Sequence, residues 1–331
     1  MNRIKVWKSR FCACSLAEKG FLCLGLFALF GLLHSVYVRK KSQDPLAPLR
    51  TEIQHIIQDK KATVGVAVII GGKDTLTVNN TEKYPMLSVY KFHQAVTVCD
   101  YLQEKGIPLD TPLFLDKKYF KTDTYSPLRD QRPKGDFELP IGVLLVCTMQ
   151  HSDNVACDIL FDYIGGVDVV NEYIHSLGLK DVSITATEDE MHQDPNKCYE
   201  NWTTPMEAAN LLELFSTQDL YSNKNRQFLR FVMMTCETGQ DRLAAPLPTD
   251  TIRIGHKTGT SDKNERGEYI GINDIGFVIL PDGHRYMIAV FVKDSKEDMA
   301  TNSKIIADIS EAVYKFVCKR RLAEEAEFEQ K

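Results

Sequence analysis

Apolar positions change period twice along this chain. From Thr63 to Ile70 they are β-branched and nearly continuous, and Gly71-Gly72-Lys73-Asp74 separates them from a second short run, Thr75 to Val78. A short apolar run bounded by a glycine turn predicts a hairpin buried in a sheet. Just before it, Leu49 to Asp59 has helical spacing. From about Ser88 the period lengthens, predicting helices over Tyr90 to Glu104, Ile141 to Ile164, Gly166 to Leu177 and Pro205 to Phe215. It shortens again over Thr251 to His256, Asp274 to Leu280 and Arg285 to Val292, the last two joined by the turn Pro281-Asp282-Gly283. A helix over Ser303 to Lys319 follows. Early and late strands with helices between them predict an α/β (α+β) fold. Its expected form is a five-stranded antiparallel sheet flanked by helices, with an all-helical lobe inserted. On this reading residues 45–83 and 232–322 build the α/β lobe and 84–231 the helical lobe. Chemistry is expected in the cleft between them.

The first 41 residues stand apart from this pattern. Arg3, Lys5, Lys8, Arg10 and Lys19 form a basic lead, Phe21 to Val38 is uncharged, and Arg39-Lys40-Lys41 closes the run. That is the layout of an export signal. The run is also just long enough to span a bilayer. Ser35-Val36-Tyr37-Val38 offers no small-x-small cleavage site. A cleaved signal peptide and an inner-membrane anchor at residues 21–38 both fit, and both predict an exported, periplasmic protein.

Composition narrows the partners. The chain has 331 residues, 44% hydrophobic and 26% charged, and a net charge of −5, which is no footprint for nucleic acid. Six of its nine cysteines lie beyond the leader: Cys99, Cys147, Cys157, Cys198, Cys236 and Cys318. None has zinc-ligand spacing, and scattered cysteines in a chain of this size read as buried apolar residues. No cofactor or metal is expected, and a monomer is the default.

Three short motifs occur in order: Ser88-Val89-Tyr90-Lys91, Ser152-Asp153-Asn154 and Lys257-Thr258-Gly259-Thr260. Each alone is weak, since a serine can cap a helix and a lysine can be a solvated charge. Their order and placement carry the argument. The first opens a predicted helix, the second falls in the helical lobe and the third lies beside a predicted strand. A serine hydroxyl needs a neighbouring base to act as a nucleophile. If Ser88 starts a helix, Lys91 is one turn on and its amine reaches the hydroxyl. Ser152 can relay a proton, Asn154 can hydrogen-bond a substrate amide, and Lys257 with Thr258 and Thr260 can hold a carboxylate. Backbone N–H groups of Ser88 and Thr260 can form an oxyanion hole.

The three boxes are shared by class A β-lactamases and penicillin-binding proteins. Over nearly the whole chain beyond the leader, the sequence resembles class A β-lactamases, closest in look to the cephalosporinase and extended-spectrum branch. The resemblance implies a β-lactamase/transpeptidase-like fold, a small-molecule β-lactam as substrate, and a role in antibiotic resistance. It makes Tyr125 the aromatic residue beside the bound ring system and Arg242 a helper in holding the substrate carboxylate. It places the family's Ω loop before Thr203-Thr204-Pro205, with Glu188 as the base that activates the deacylating water.

Two departures stand in that loop. The Asn that ordinarily follows the glutamate is His192, and the Arg–Asp pair at the loop's neck is replaced by Ala186 and the Asn201-Trp202 segment. Glu190 is the fallback base, although Asp189, Glu190 and Asp194 together read as a solvated acidic loop. His151, His256, His93, Tyr90 and Trp202 read as packing residues. A D,D-peptidase and an acylated β-lactam sensor share the three boxes and are the alternatives. Glu188 argues against the first, and a leader with at most one membrane span argues against the second.

Overall fold

The computed structural model describes residues 44–120, 123–217 and 223–329; the basic lead and apolar run lie outside them. The first elements are α1 (Ala47–Ile57), β1 (Thr63–Ile70), β2 (Asp74–Val78), β3 (Tyr84–Pro85) and α2 (Tyr90–Lys105). Next come β4 (Pro112–Leu115), α3 (Pro127–Gln131), β5 (Phe137–Pro140), α4 (Ile141–Gln150), α5 (Asn154–Ile164) and α6 (Val167–Ser176). Then follow β6 (Val182–Ser183), α7 (Glu188–Gln193), β7 (Trp202–Thr203), α8 (Pro205–Thr217) and α9 (Asn223–Met234). The last are β8 (Arg253–Thr260), β9 (Tyr269–Ile279), β10 (Arg285–Ser295) and α10 (Met299–Glu329).

The main sheet is five-stranded and antiparallel, in the order β2-β1-β10-β9-β8. This is the architecture expected from the early and late strands. β1 pairs on both sides, Val66 with Val78 and with Val290. Its near-continuous apolar sequence reflects burial on both faces. Side chains alternate across the pleat. Ala67 and Ile69, with Phe277, Met287, Ala289 and Phe291, join the core shared with Leu211 and Leu212 of α8. The alternate set, Val64, Val66 and Val68, is equally buried but outside that core. It belongs to the other face, where α10 packs on β9 and β10 and buries Ile305, Ile309 and Val313.

Three features differ from the periodicity reading. The segment after β2 is mainly helical, but it also carries the β4–β5 hairpin and a small sheet in the order β3-β7-β6. Helix α9 was not anticipated; its buried Leu229, Val232 and Met233 sit among polar residues that dilute the apolar signal. The helix expected over Ile141 to Ile164 is broken at His151-Ser152-Asp153. Ser152 takes a φ of +59°, which a helix cannot continue through. Asp153 then caps α5, its carboxylate accepting from Ala156 N at 2.9 Å. The same carboxylate accepts from Ser126 Oγ at 2.9 Å and Leu128 N at 2.7 Å, so the break is tied to the segment carrying Tyr125.

The six described cysteines are free thiols. Tyr90 is buried and stacks on Phe161, and His93 is buried, where desolvation brings its pKa down to about 4. Both are core residues, as expected. The Lys83 ammonium lies 3.9 Å over the Trp202 ring at the foot of the Ω loop.

Candidate active site

Ser88 sits in a single 3-10 turn, Leu87–Val89, that feeds α2. Leu87 just before it has a φ of +48°, a strained value for a branched side chain. Two tertiary contacts hold that strain. Asn273 of β9 donates its Nδ2 to Pro85 O at 2.8 Å and Met86 O at 3.1 Å. Gly259 of β8 lies so close that a Cβ there would fall 2.4 Å from Met86 O. The third position of the Lys-Thr-Gly box must therefore be glycine for β8 to approach the nucleophile turn.

Lys91 is one turn on, as the spacing predicted, and fully buried. Its Nζ lies 2.9 Å from Ser88 Oγ, 2.9 Å from Ser152 O, 2.6 Å from Asn154 Oδ1 and 2.9 Å from Glu188 Oε1. Four oxygens thus surround an ammonium that has three hydrogens. The Glu188 contact is an ion pair without an aligned hydrogen bond, and Oε1 is buried with no hydrogen-bond donor. The strained φ of Ser152 turns its carbonyl onto Lys91. Ser152 Oγ instead accepts from Lys257 Nζ at 3.0 Å, and Lys257 also donates to Thr258 O at 2.8 Å. Burial, followed by the charge of Lys91, brings the Lys257 pKa down to about 7.

Helix α7 presents Glu188. Asp158 of α5 accepts from Glu188 N at 2.8 Å and Asp189 N at 2.9 Å, so the backbone of the glutamate is bolted to the helical core. Burial, then the Glu188 charge, pushes Asp158 up to about 7 against those two hydrogen bonds. Glu190 has a different task. It closes a capping box with Thr187 and pairs with Lys197 at 3.1 Å. This separates the two candidate bases: Glu188 meets Lys91, and Glu190 caps a helix. His192 lines the cavity mouth and pairs with Asp123 at 3.3 Å.

The neck of the loop is closed by one amide. Asn201 is fully buried; its Oδ1 accepts from Thr185 N at 2.8 Å and Ala186 N at 3.0 Å, and its Nδ2 donates to Ala186 O at 2.8 Å. It stands in for the absent Arg–Asp pair without burying a charge. Asn201→Ala should destabilise the protein by about 3 kcal/mol, because it leaves buried backbone groups unsatisfied. Urea unfolding of both proteins checks this; a change below about 1 kcal/mol would show that the neck is held by other contacts.

The remaining expected residues converge on the same place. Ser88, Tyr125, Ser152, Asn154, Glu188, Thr258 and Thr260 line one cavity of about 480 Å³. Tyr125 is 58% exposed at its rim. Asn154 is tied to Lys91 and, through Nδ2, to Thr124 Oγ1 at 3.0 Å. Arg242 is buried behind β8; its Nη2 donates to Thr260 Oγ1 at 2.7 Å and its Nη1 to Gly259 O at 3.1 Å and Asn273 O at 2.9 Å. His151 stays outside, paired with Glu237 at 3.2 Å. His256 is buried against Asp274 at 3.0 Å as one of a charged pair, which goes beyond simple packing.

Asp158 and Asn273 were missed by sequence reasoning, which placed Asn201 at the loop neck without its hydrogen bonds. Asp158 carried a weak signal, as one of two acids in the mainly apolar run of α5.

Comparison with known proteins follows the same lines. The Beta-lactamase enzyme family profile matches residues 48–317. A β-lactamase of Bacteroides uniformis is 42% identical over 270 residues, covering 81% of this chain and 91% of that protein. The extended-spectrum β-lactamase PER-1 of Pseudomonas aeruginosa is 38% identical over 282 residues, covering 84% of this chain and 90% of that protein. The crystal structure of a class A β-lactamase from Bacteroides cellulosilyticus superposes with a TM-score of 0.80 at 43% identity, covering 83% of this chain and 99% of that one.

Proposed function

The chain belongs to class A of the β-lactamase enzyme family and hydrolyses β-lactams; we propose that it does so through an acyl-enzyme on Ser88, with cephalosporins as its best substrates. One observation carries the mechanism: Ser88 Oγ, Lys91 Nζ and Glu188 Oε1 form a continuous chain with both steps at 2.9 Å.

In acylation the Lys91 ammonium hands a proton to Glu188 and, as the free amine, takes the Ser88 proton as Oγ attacks the lactam carbonyl. The backbone N–H groups of Ser88 and Thr260 receive the developing oxyanion. As the C–N bond breaks, Ser152 gives its proton to the departing nitrogen, and the Lys257 contact steadies the serine oxygen. Lys257, Thr258 and Thr260 hold the substrate carboxylate, with Arg242 fixing the Thr260 hydroxyl from behind. Asn154 meets the side-chain amide and Tyr125 the ring system. In deacylation the Glu188 carboxylate takes a proton from water as that water attacks the ester; the acyl C–O bond breaks and Ser88 Oγ recovers a proton through Lys91.

The cephalosporin preference rests on the likeness to PER-1, whose name states an extended spectrum. The proposed location is the periplasm, on the strength of the basic lead and the apolar run Phe21 to Val38. Fractionation and N-terminal sequencing of the exported protein test it. A monomer acting alone on its substrate completes the reading.

A chromogenic cephalosporin is the first test. Fast steady release is expected, at a higher kcat/KM than for a penicillin. A single stoichiometric burst would indicate a sensor, and very slow release a D,D-peptidase.

The depressed pKa of Lys257 adds a pH test. A lysine whose pKa is lowered carries its charge below that value and loses it above. So kcat/KM for a carboxylate-bearing β-lactam should fall as pH rises through about 7, while kcat under saturation changes less, because the bound carboxylate restores the cation. Lys257→Arg should flatten that limb, since a guanidinium stays charged. A wild-type profile level to about pH 9 would refute it.

A further inference from the structure

A second cluster of reactive side chains lies at the start of β8, outside the catalytic cavity. His256 Nδ1 is 3.0 Å from both carboxylate oxygens of Asp274, which is fully buried. Cys236 and His256 line the same surface cavity, where the imidazole acts on the thiol, and the Cys236 thiol also donates to Thr238 O at 3.6 Å. Cys236, His256, Gln240 and Arg253 line a separate surface cavity of about 330 Å³. Among the described residues its lining holds two basic groups and no carboxylate.

The cluster also touches the substrate site. Cys236 Sγ lies 3.4 Å from Thr238 Oγ1, and Thr238 Oγ1 lies 2.5 Å from Thr258 Oγ1. Thr238 and Thr258 both line the catalytic cavity.

We propose that Cys236, His256 and Asp274 form a modification site for small anionic, thiol-reactive compounds, and that an adduct there weakens substrate binding through Thr238 and Thr258. With iodoacetate, Sγ attacks the methylene carbon, the S–C bond forms, the C–I bond breaks and iodide leaves with the electron pair. The thiol proton resides on His256, and Asp274 balances the imidazolium.

The electrostatics agree. Burial opposes ionisation of Cys236, but the His256 hydrogen bond and charge outweigh it and bring the thiol below its ordinary range. Burial likewise opposes the His256 cation, and the Asp274 carboxylate overcomes it, raising the imidazole to about 10. By contrast, burial pushes Cys99 and Cys198 up to about 12 and Cys147 up to about 11.

The test treats the native full chain at neutral pH with iodoacetate or iodoacetamide and follows each cysteine by peptide mapping. Cys236 should label first among the described cysteines, and faster with iodoacetate, because the cationic lining attracts the anion. The labelled enzyme should show a KM about 10-fold higher for a carboxylate-bearing substrate, with a smaller change in kcat, a size ordinary for coupled sites. Treated Cys236→Ser should keep its activity. Arg253→Gln, at the cavity edge, should reduce the preference for iodoacetate and keep the fold. First labelling at Cys147 or Cys318, labelling of Cys236 only after denaturation, or a faster reaction with iodoacetamide would each overturn the site. A labelled Cys236 with an unchanged KM would overturn the coupling. The labelling pattern is read without reference to β-lactam turnover.

Discussion

Ser88→Ala should lower β-lactam hydrolysis by a factor on the order of 10⁶, the scale of loss when another serine hydrolase is stripped of its nucleophile. No other hydroxyl can take its place. Ser152 is the nearest candidate, but its Oγ faces Lys257 and its carbonyl, not its hydroxyl, faces Lys91. The fold should survive. Lys91 keeps Ser152 O, Asn154 Oδ1 and Glu188 Oε1 as partners, so its buried charge is not abandoned. A stability change within about 1 kcal/mol is expected for so small a deletion. Mass spectrometry of the wild type after mixing with a slowly hydrolysed β-lactam should find the adduct on the peptide containing Ser88. An adduct elsewhere, or retained turnover in Ser88→Ala, would remove the acyl-enzyme from this serine.

Glu188→Gln should react with a cephalosporin and then stall. Acylation needs a base beside Ser88, and Lys91, acting as the free amine, stands there at 2.9 Å. Deacylation needs a carboxylate that can take a proton from water, which an amide cannot do. A positioned general base contributes ~10²–10⁴-fold, so steady-state turnover should fall by that range. The substitution keeps the loop in place, because Asp158 holds the Glu188 backbone N–H and not its side chain. Glu190→Gln is the matched control: it disturbs the capping box and the Lys197 pair, should lower stability by about 1 kcal/mol, and should turn over near the wild-type rate. A stopped-flow burst on both variants, with mass spectrometry of the trapped ester, separates them. If Glu190→Gln alone traps the ester, the base sits two residues further on. If neither does, His192 at the cavity mouth becomes the residue to replace.

Both experiments address residues that the sequence pointed to, Ser88 and Lys91 by local spacing and Glu188 by family resemblance. Ser88 and Lys91 are three apart on a helical turn, and their contact follows from helix geometry. Glu188 was placed by its register in the loop before Thr203-Thr204-Pro205, although His192 stands where an asparagine was expected. The hairpin at β1 and β2 was legible for the same reason: its period and its glycine turn are properties of neighbouring residues.

The rest required the folded chain. Periodicity favoured one helix from Ile141 to Ile164, and nothing local announced that Ser152 would take a left-handed φ and turn its carbonyl onto a lysine 61 residues away. Asn273 reaches back 188 residues to hold the turn before Ser88. Asp158 holds a backbone N–H 30 residues on, and Asn201 closes a loop 15 residues long with three hydrogen bonds. Such groups carry no period, since one polar side chain pays its desolvation against whichever partner packing brings to it. The sequence by itself determined the strands of the main sheet, most of the helices, the order of the three boxes and the nucleophile–lysine pair, because these are written in neighbouring residues. The tertiary structure decided which carboxylate meets that lysine, which amides replace the usual loop neck, and where a cysteine meets a charged histidine, because those are distances between segments that only the packed core brings together.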